Sequence, residues 1–250
     1  MRPTELTGRE IPGKVLEIFF DKETGLYRRS RYKVLHGGRG GGKSEGVARV
    51  AAQIARVEKT RFLCTRMYQN SIEDSIHRTI ADAIRSMDLE HEFEILKTSI
   101  THKRTGTDFI FKGIQRDISG IKSLKGVKYC IVEEGESVPR NSWQILDPTF
   151  RENDSEIWII YNPDLEDGAT HQMFTVKPRP NSIVAEINWS DNPFFPPALN
   201  ELRLAAKAEA DAGDPADQAT YDWIWEGKCR RLTDAVIFRS RVVEIGRAHV

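Results

Sequence analysis

Short apolar runs alternate with segments of helical periodicity in the first third of the chain. Tyr32–His36 has the apolar character of a buried strand, and Ser44–Val57 follows it with apolar residues at helical spacing. Arg61–Thr65 predicts the next strand and Ile72–Met87 the next helix, in which isoleucines recur on one face. This strand–helix order predicts an α/β fold with a mostly parallel central sheet flanked by helices.

Three shorter runs follow one another in the middle of the chain: Phe93–Lys97, Ser99–Lys103 and Asp108–Lys112. Thr105 and Gly106 supply a turn signal between the last two runs. We therefore predict that these strands form a small antiparallel insertion.

Continuous apolar runs return after this insertion. Val127–Val132 and Ile157–Tyr161 have the composition of strands that are covered on both faces. Ser182–Trp189 alternates apolar and polar residues, which predicts a strand nearer the edge of the sheet. A charged helical stretch from Ala198 to about Ala212 follows the prolines of residues 193–197.

The loop between the first predicted strand and its helix matches the pattern G-x-x-x-x-G-K-[ST] in full. Glycines allow successive backbone N–H groups to turn toward phosphate oxygens, and the start of the helix adds partial positive charge. We predict that Lys43 reaches the β- and γ-phosphates of ATP and that Ser44 ligates Mg²⁺. The alternative is a glycine-rich turn that merely precedes a helix. The predicted ATP-binding residues are Gly37, Gly38, Arg39, Gly40, Gly41, Gly42, Lys43 and Ser44.

Two carboxylates follow the predicted strand at 127–132. P-loop ATPases usually place an Asp at this point to hold Mg²⁺, whereas this chain has Glu133, which is longer by one methylene. We assign Glu133 to Mg²⁺ through ordered water and Glu134 to positioning or deprotonating the attacking water. Neighbouring residues of an extended strand point to opposite faces, so a turn is needed to bring both carboxylates to one site. The alternative is that they decorate a loop, and we expect Glu136 to be solvated.

Asn162 ends the predicted strand Ile157–Tyr161 and precedes Pro163. Its side chain is a candidate sensor of the γ-phosphate or of the attacking water. The alternative is a simple turn made by the Asn-Pro pair.

Composition and charge add few constraints. The chain of 250 residues has a formal net charge of +0, so a global basic field does not mark it as a nucleic-acid binder. It contains no apolar run of about 18 residues and no secretory signal at its start, so we expect a soluble, cytosolic protein that does not contact a membrane.

These motifs, in this order, resemble the terminase large subunit of tailed bacteriophages. The resemblance covers most of Tyr32–Gly227. Beyond the glycine-rich loop it is carried by Phe62–Arg66 with Gln69–Ile72, Ile121–Gly126, Ser142-Trp143, Glu156–Trp158, Asn162-Pro163, Asp191–Pro193 and Trp225–Gly227.

The resemblance implies a P-loop fold of the additional-strand type and an ATP-driven motor that moves double-stranded DNA into a procapsid. It also implies a ring of subunits at the portal and a partner small terminase subunit. A family role carried over to Lys122 or Lys125 is a cation that acts in trans, although both could be surface lysines. Arg39 is the corresponding cation in cis, and Arg31 and Tyr32 lie where an adenine-contacting motif would be expected.

The resemblance also implies a C-terminal nuclease domain, for which nothing long enough follows Cys229. We predict a lead-in at residues 1–30, the ATPase domain at 31–229, the start of a linker at 230–243, and a non-native tail at 244–250 that matches a sequencing-adapter reading frame. Two alternatives remain. One is a P-loop helicase or recombination ATPase, and the other is an assembly switch that binds ATP without turnover.

Overall fold

The computed structural model describes residues 11–68 and 76–230. The predicted linker after Arg230, the predicted tail, the motif residues Gln69–Ile72 and the start of the predicted helix at Ile72 lie outside the described residues.

One twisted sheet of eight strands organises the described part of the chain. Its strands are β1 Tyr32–His36, β2 Arg61–Arg66, β3 Phe93–Ile95, β4 Ser99–His102, β5 Asp108–Gly113, β6 Tyr129–Val132, β7 Glu156–Tyr161 and β8 Ser182–Glu186. Their order across the sheet is β3-β4-β5-β2-β6-β7-β1-β8. The pairs from β5 to β8 are parallel, whereas β3, β4 and β5 pair antiparallel. The predicted fold class is confirmed, and β8 lies at the predicted edge.

Helices cover both faces of this sheet. They are α1 Gly13–Phe19, α2 Lys43–Val57, α3 Ile76–Ser86, α4 Ile114–Lys122, α5 Arg140–Leu146, α6 Ala169–His171, α7 Pro197–Asp211 and α8 Pro215–Ile224. Alternate residues of one strand enter opposite cores, as the period of two requires. In β7, Trp158 and Ile160 pack with α1, α2 and α3, while Ile157 and Ile159 pack with α4 and α5. Both faces are therefore buried, which explains the continuous apolar runs.

The prediction that all three middle strands are antiparallel additions is wrong for β5. This strand pairs antiparallel with β4 but parallel with β2, from Arg61 opposite Asp108 to Arg66 opposite Gly113. The turn signal at Thr105-Gly106 describes one edge of β5 correctly. It carries no information about the strand that pairs with the other edge.

Part of the predicted lead-in belongs to the core of the domain. Ile11, Val15 and Phe19 are buried in the same cluster as α2. A β-carbon added to Gly46 of α2 would lie 2.8 Å from a methyl carbon of Val15, so this glycine permits the close approach of α1. Residues 11–20 therefore pack against the α/β domain rather than merely preceding it.

A buried ion pair joins β1 to β7. The Lys33 ammonium lies 2.6 Å from a carboxylate oxygen of Glu156, and the two side chains are 0% and 2% exposed. The same Glu156 oxygen accepts hydrogen bonds from the Tyr27 hydroxyl and the Trp158 indole. Removing one partner of such a pair leaves an uncompensated buried charge.

We predict that Glu156→Ala lowers the free energy of unfolding by about 3–5 kcal/mol, because the Lys33 ammonium loses its counter-charge. The double variant Lys33→Met with Glu156→Leu should recover most of this loss. Urea unfolding at neutral pH measures both effects.

The matched control is Lys207→Met, which breaks the pair of Lys207 with Asp211 on α7. Their side chains are 40% and 60% exposed, so this change should cost much less stability than Glu156→Ala. Equal losses for the buried and exposed pairs would contradict the prediction.

Candidate functional site

The glycine-rich loop of residues 37–44, here called the phosphate loop, leaves the carboxyl end of β1 and enters α2. Gly42 is the N-cap of α2 and has a φ of 73°, in the left-handed region. A β-carbon on Gly40 would lie 2.2 Å from the ring of Phe195, so a larger residue there would collide with the segment before α7. Glycine is required at these positions by both backbone angle and packing.

The second half of the phosphate loop presents donors to a cavity of about 530 Å³. Within the described ranges, the backbone N–H groups of residues 40–45 donate to no protein acceptor, whereas the helical bond from Gly46 to Gly42 is formed. Unpaired N–H groups at the start of a helix are a binding site for an anion such as a phosphate. The other lining residues used below are Glu133, Glu134, Glu136, Asn162 and Leu199.

Lys43 is buried at the base of the loop. Its ammonium donates to the carbonyl oxygens of Gly37 at 3.0 Å and Gly38 at 2.6 Å. Burial lowers the pKa of Lys43 to about 8, and the negative charge of Glu136 opposes this shift. The side chain is therefore mostly protonated at pH 7, and the carbonyls hold its charge within the cavity.

The structure brings Glu133 to the phosphate loop. Glu133 and Ser44 line the same cavity, and burial raises the pKa of Glu133 while the nearby Ser44 hydroxyl acts in the opposite direction. Hydroxyl and carboxylate oxygens are suitable ligands for Mg²⁺, which usually takes one or two carboxylates and completes its shell with phosphates and water. No cluster of three or more His, Cys, Asp or Glu side chains suited to a metal occurs among residues 11–68 and 76–230. These two residues fit an ion shared with a nucleotide rather than a protein cage.

Glu134 reaches the same cavity through an unusual backbone conformation. Its φ of 51° and ψ of 42° are left-handed, which ends the side-chain alternation of β6. The Glu134 side chain therefore lines the same cavity as that of Glu133. The Glu134 carboxylate forms an ion pair with Arg66 at the end of β2, with a separation of 3.1 Å, and it is 50% exposed. The turn that the sequence analysis required is therefore present.

The expectation that Glu136 is solvated is wrong. Glu136 lines the cavity, and its Oε2 atom is buried with no hydrogen-bond partner. Burial raises the pKa of Glu136 to about 7, and the nearby charges of Glu134 and Asp164 act in the same direction. The Gly135–Ser137 turn carries this side chain inward, and a pattern of three closely spaced glutamates could not reveal its direction.

Asn162 and Arg39 lie at the same cavity, as the sequence analysis expected of them. The Asn162 backbone lies close enough to the Glu136 carboxylate to oppose the rise in its pKa, so the end of β7 lies beside the turn after β6. The Arg39 side chain is exposed, and its backbone N–H donates to the Ile224 carbonyl at 2.8 Å.

The structure places Tyr32 and Arg31 away from the phosphate loop, and their predicted contact with adenine stays a prediction. Tyr32 begins β1, and the loop follows the other end, roughly 13 Å away at the usual rise per residue. The buried Tyr32 hydroxyl donates to Asp147 at 2.8 Å, and the Arg31 guanidinium bonds to the same aspartate.

Lys122 and Lys125 are exposed. They lie between the end of α4 and the start of β6, whereas the cavity faces the other end of β6. A role in trans stays a prediction.

Arg66, by contrast, is a site residue to which the sequence analysis gave no role, although its position at the end of a strand beside β6 was a usable signal.

None of the described helices combines the length and the apolar character needed to cross a membrane.

We predict that Glu136→Gln removes a pH-dependent loss of stability. A carboxyl whose folded pKa is about 7 and whose ordinary value is 4.5 contributes stability below pH 4.5 that is lost as the pH rises through 7. Gln cannot ionise, so the variant should gain about 1–3 kcal/mol relative to the wild type between pH 4.5 and pH 8. Urea unfolding without nucleotide and with EDTA measures this change.

Glu94→Gln on the exposed surface of β3 controls for the loss of one negative charge. A stability difference between Glu136→Gln and the wild type that is the same at both pH values would contradict the prediction.

Comparison with known proteins places this geometry in a family. A family model described as "Phage terminase large subunit" matches residues 29–227. The curated large terminase subunit of Bacillus phage SPP1 is 31% identical over 98 residues, which cover 38% of this chain and 23% of that protein.

Solved structures share the fold. The large terminase of a thermophilic bacteriophage aligns with a TM-score of 0.65 and 12% identity, covering 87% of this chain and 53% of that chain. This thermophilic-phage terminase has also been solved with ADP and with ATP-gamma-S. The ATPase domain of Thermus phage P74-26 large terminase aligns with a TM-score of 0.60 and 14% identity, over 91% of this chain and 99% of that one.

The present chain therefore spans about half the length of the thermophilic-phage terminase. The family match covers the strands, the phosphate loop and the glutamates that follow β6. It favours the terminase interpretation over a helicase. The chain belongs to the phage terminase large subunit family.

Proposed function

We propose that this chain is the ATP-hydrolysing motor domain of a DNA-packaging terminase large subunit. The observation that carries the proposal is one cavity lined by residues 40–45, whose N–H groups have no protein acceptor among the described residues, together with the Lys43, Ser44 and Glu133 side chains. Each of these groups complements a different part of a nucleoside triphosphate. The nucleotide complexes of the thermophilic-phage terminase support the same substrate.

The N–H groups of the phosphate loop would bind the β- and γ-phosphates. The Lys43 ammonium, oriented by the Gly37 and Gly38 carbonyls, would direct its remaining N–H donor to phosphate oxygens. Bound Mg²⁺ would neutralise charge that develops on the phosphates. Ser44 would hold the ion directly, and Glu133 would hold it partly through water. This donor set matches the oxygen preference of Mg²⁺.

Hydrolysis transfers the γ-phosphoryl group to water. The water oxygen bonds to the γ-phosphorus, the bond from this phosphorus to the β–γ bridging oxygen breaks, and the water proton leaves to a carboxylate. Glu134 would position or deprotonate the water once it is free of Arg66. Arg39 would stabilise the transferred charge in cis, and Asn162 would sense the γ-phosphate.

Family membership supports double-stranded DNA as the cargo, and a procapsid portal and a small terminase subunit as partners. A ring of subunits would allow Lys122 or Lys125 to act on a neighbour's nucleotide. We place this activity in the host cell cytoplasm, where procapsids are filled. The assignment extends from the family to this chain, which covers about half of the thermophilic-phage terminase.

We predict that Lys43→Ala abolishes ATP binding or turnover, because it removes a buried positive charge from the cavity that would hold the phosphates. Isothermal titration with ADP and a steady-state phosphate-release assay measure the two effects. Turnover at the wild-type rate would contradict the proposed site.

We predict that Glu134→Gln keeps ATP binding and lowers turnover by about 100-fold or more, within the range expected for loss of a general base. The control is Glu94→Gln, which should bind and hydrolyse as the wild type does. Full ATPase activity in Glu134→Gln would show that another group activates the water.

DNA-stimulated multiple turnover without strand separation would distinguish the motor from both a passive switch and a helicase.

A further inference from the structure

The outer side of the phosphate loop is held by the polypeptide that follows β8. The Asn188 side-chain oxygen accepts the Gly38 N–H at 2.6 Å, and the Asn192 side-chain nitrogen donates to the Gly40 carbonyl at 2.7 Å. Between them, the Arg39 N–H donates to the Ile224 carbonyl of α8. Three peptide groups of the loop thus have partners on the side away from the cavity.

These outward bonds determine which groups point inward. The N–H and C=O of one trans peptide group point in opposite directions. Because the Gly38 N–H faces Asn188, the Gly37 carbonyl must face the cavity, where it accepts from Lys43 at 3.0 Å. The Arg39 N–H faces Ile224, and the Gly38 carbonyl correspondingly accepts from Lys43 at 2.6 Å.

Asn192 has the complementary effect on the second half of the loop. It holds the Gly40 carbonyl outward, so the N–H of the same peptide group, which belongs to Gly41, points toward the cavity. The first half of the loop therefore presents carbonyl oxygens to Lys43. The second half presents an N–H donor to an anion.

Both asparagine side chains have a fixed orientation. The Asn192 oxygen accepts the Phe194 N–H at 2.9 Å, which leaves its NH₂ group to face Gly40. The Asn188 NH₂ group donates to the Glu226 carbonyl at 3.2 Å, which leaves its oxygen for Gly38. The surrounding bonds thus distinguish the two ends of each amide.

The backbone around these contacts is too close for larger residues. Gly227 has a φ of 68°, and a β-carbon there would lie 2.5 Å from the Gly38 nitrogen. This contact gives a structural reason for the Trp225–Gly227 segment, which the sequence analysis identified without assigning a role. Asp191–Pro193 likewise includes a residue that bonds to the phosphate loop.

We propose that Asn188 and Asn192 are positioning residues for the proposed ATPase reaction, on which this inference rests. Asn188 acts through the carbonyls that hold Lys43, and Asn192 acts through the Gly41 N–H that faces the phosphates. Neither side chain needs to touch the nucleotide. The two act on different halves of the loop, so their loss should have different kinetic effects.

The test uses Asn188→Ala, Asn192→Ala and Asn153→Ala in the full chain. Asn153 is exposed in the loop before β7, at the other end of the sheet, and serves as the matched control. ADP affinity is measured by titration calorimetry, kcat and KM by phosphate release, and folding by thermal unfolding without nucleotide.

Asn192→Ala should weaken ADP binding and raise KM about 10-fold, with a smaller change in kcat. Asn188→Ala should lower kcat about 10-fold, because Lys43 loses its fixed carbonyl partners. Asn153→Ala should match the wild type in all three constants. Affinities and rates are corrected for the folded fraction, so a loss of stability alone would not reproduce this split.

Wild-type KM, kcat and ADP affinity in both loop variants would overturn the proposal, as would a change confined to the unfolding temperature. If Asn192→Ala does not fold, the nearly isosteric Asn192→Asp keeps the acceptor for Phe194 but lacks the donor, and it should weaken ADP binding by at least as much. Absence of ATP turnover and of ADP binding in the wild type would instead refute the proposed function.

Discussion

The parallel register of β2, β6, β7 and β1 is the constraint on which the rest of the structure depends. His36 at the end of β1 lies opposite Tyr161 of β7, and Val132 at the end of β6 lies opposite Ile159. The residues that follow these strands must therefore emerge at one edge of the sheet. A one-residue slip of β6 would send its alternate side chains to the opposite core and move Glu133 away from Ser44.

The groups gathered at this edge lower the stability of the fold. The N–H groups of residues 40–45 have no protein acceptor among the described residues, and the buried Lys43 ammonium and the buried Glu136 oxygen each carry a desolvation penalty of about 1–3 kcal/mol or more. The structure tolerates this cost because two apolar cores and the buried Lys33–Glu156 pair fix the strands on either side. A nucleotide with its metal ion would supply partners for several of these groups at once, which is the physical basis of its affinity.

The helical pair α7–α8 forms part of the phosphate-loop architecture. Its own small cluster of Tyr221, Trp225 and Ala210 lies beside the main sheet. Asn188, Asn192 and the Ile224 carbonyl connect the segments around that cluster to three peptide groups of the loop. The conformation of the loop is thus set jointly by its glycines and by residues about 150 positions later in the chain.

The sequence by itself determined the local features of this protein. The strand–loop–helix at Gly37–Ser44, the buried strands β6 and β7 and the acidic turn after β6 depend on short-range spacing and backbone preferences, so their pattern was sufficient. Tertiary structure alone decided the parallel partner of β5, the inward direction of Glu136, the distance of Tyr32 from the loop and the packing of residues 11–20. It also decided the contacts of Asn188 and Asn192. These features depend on atoms far apart in the chain, and hydrophobic periodicity contains no information about which distant residue a backbone group or a carboxylate will meet.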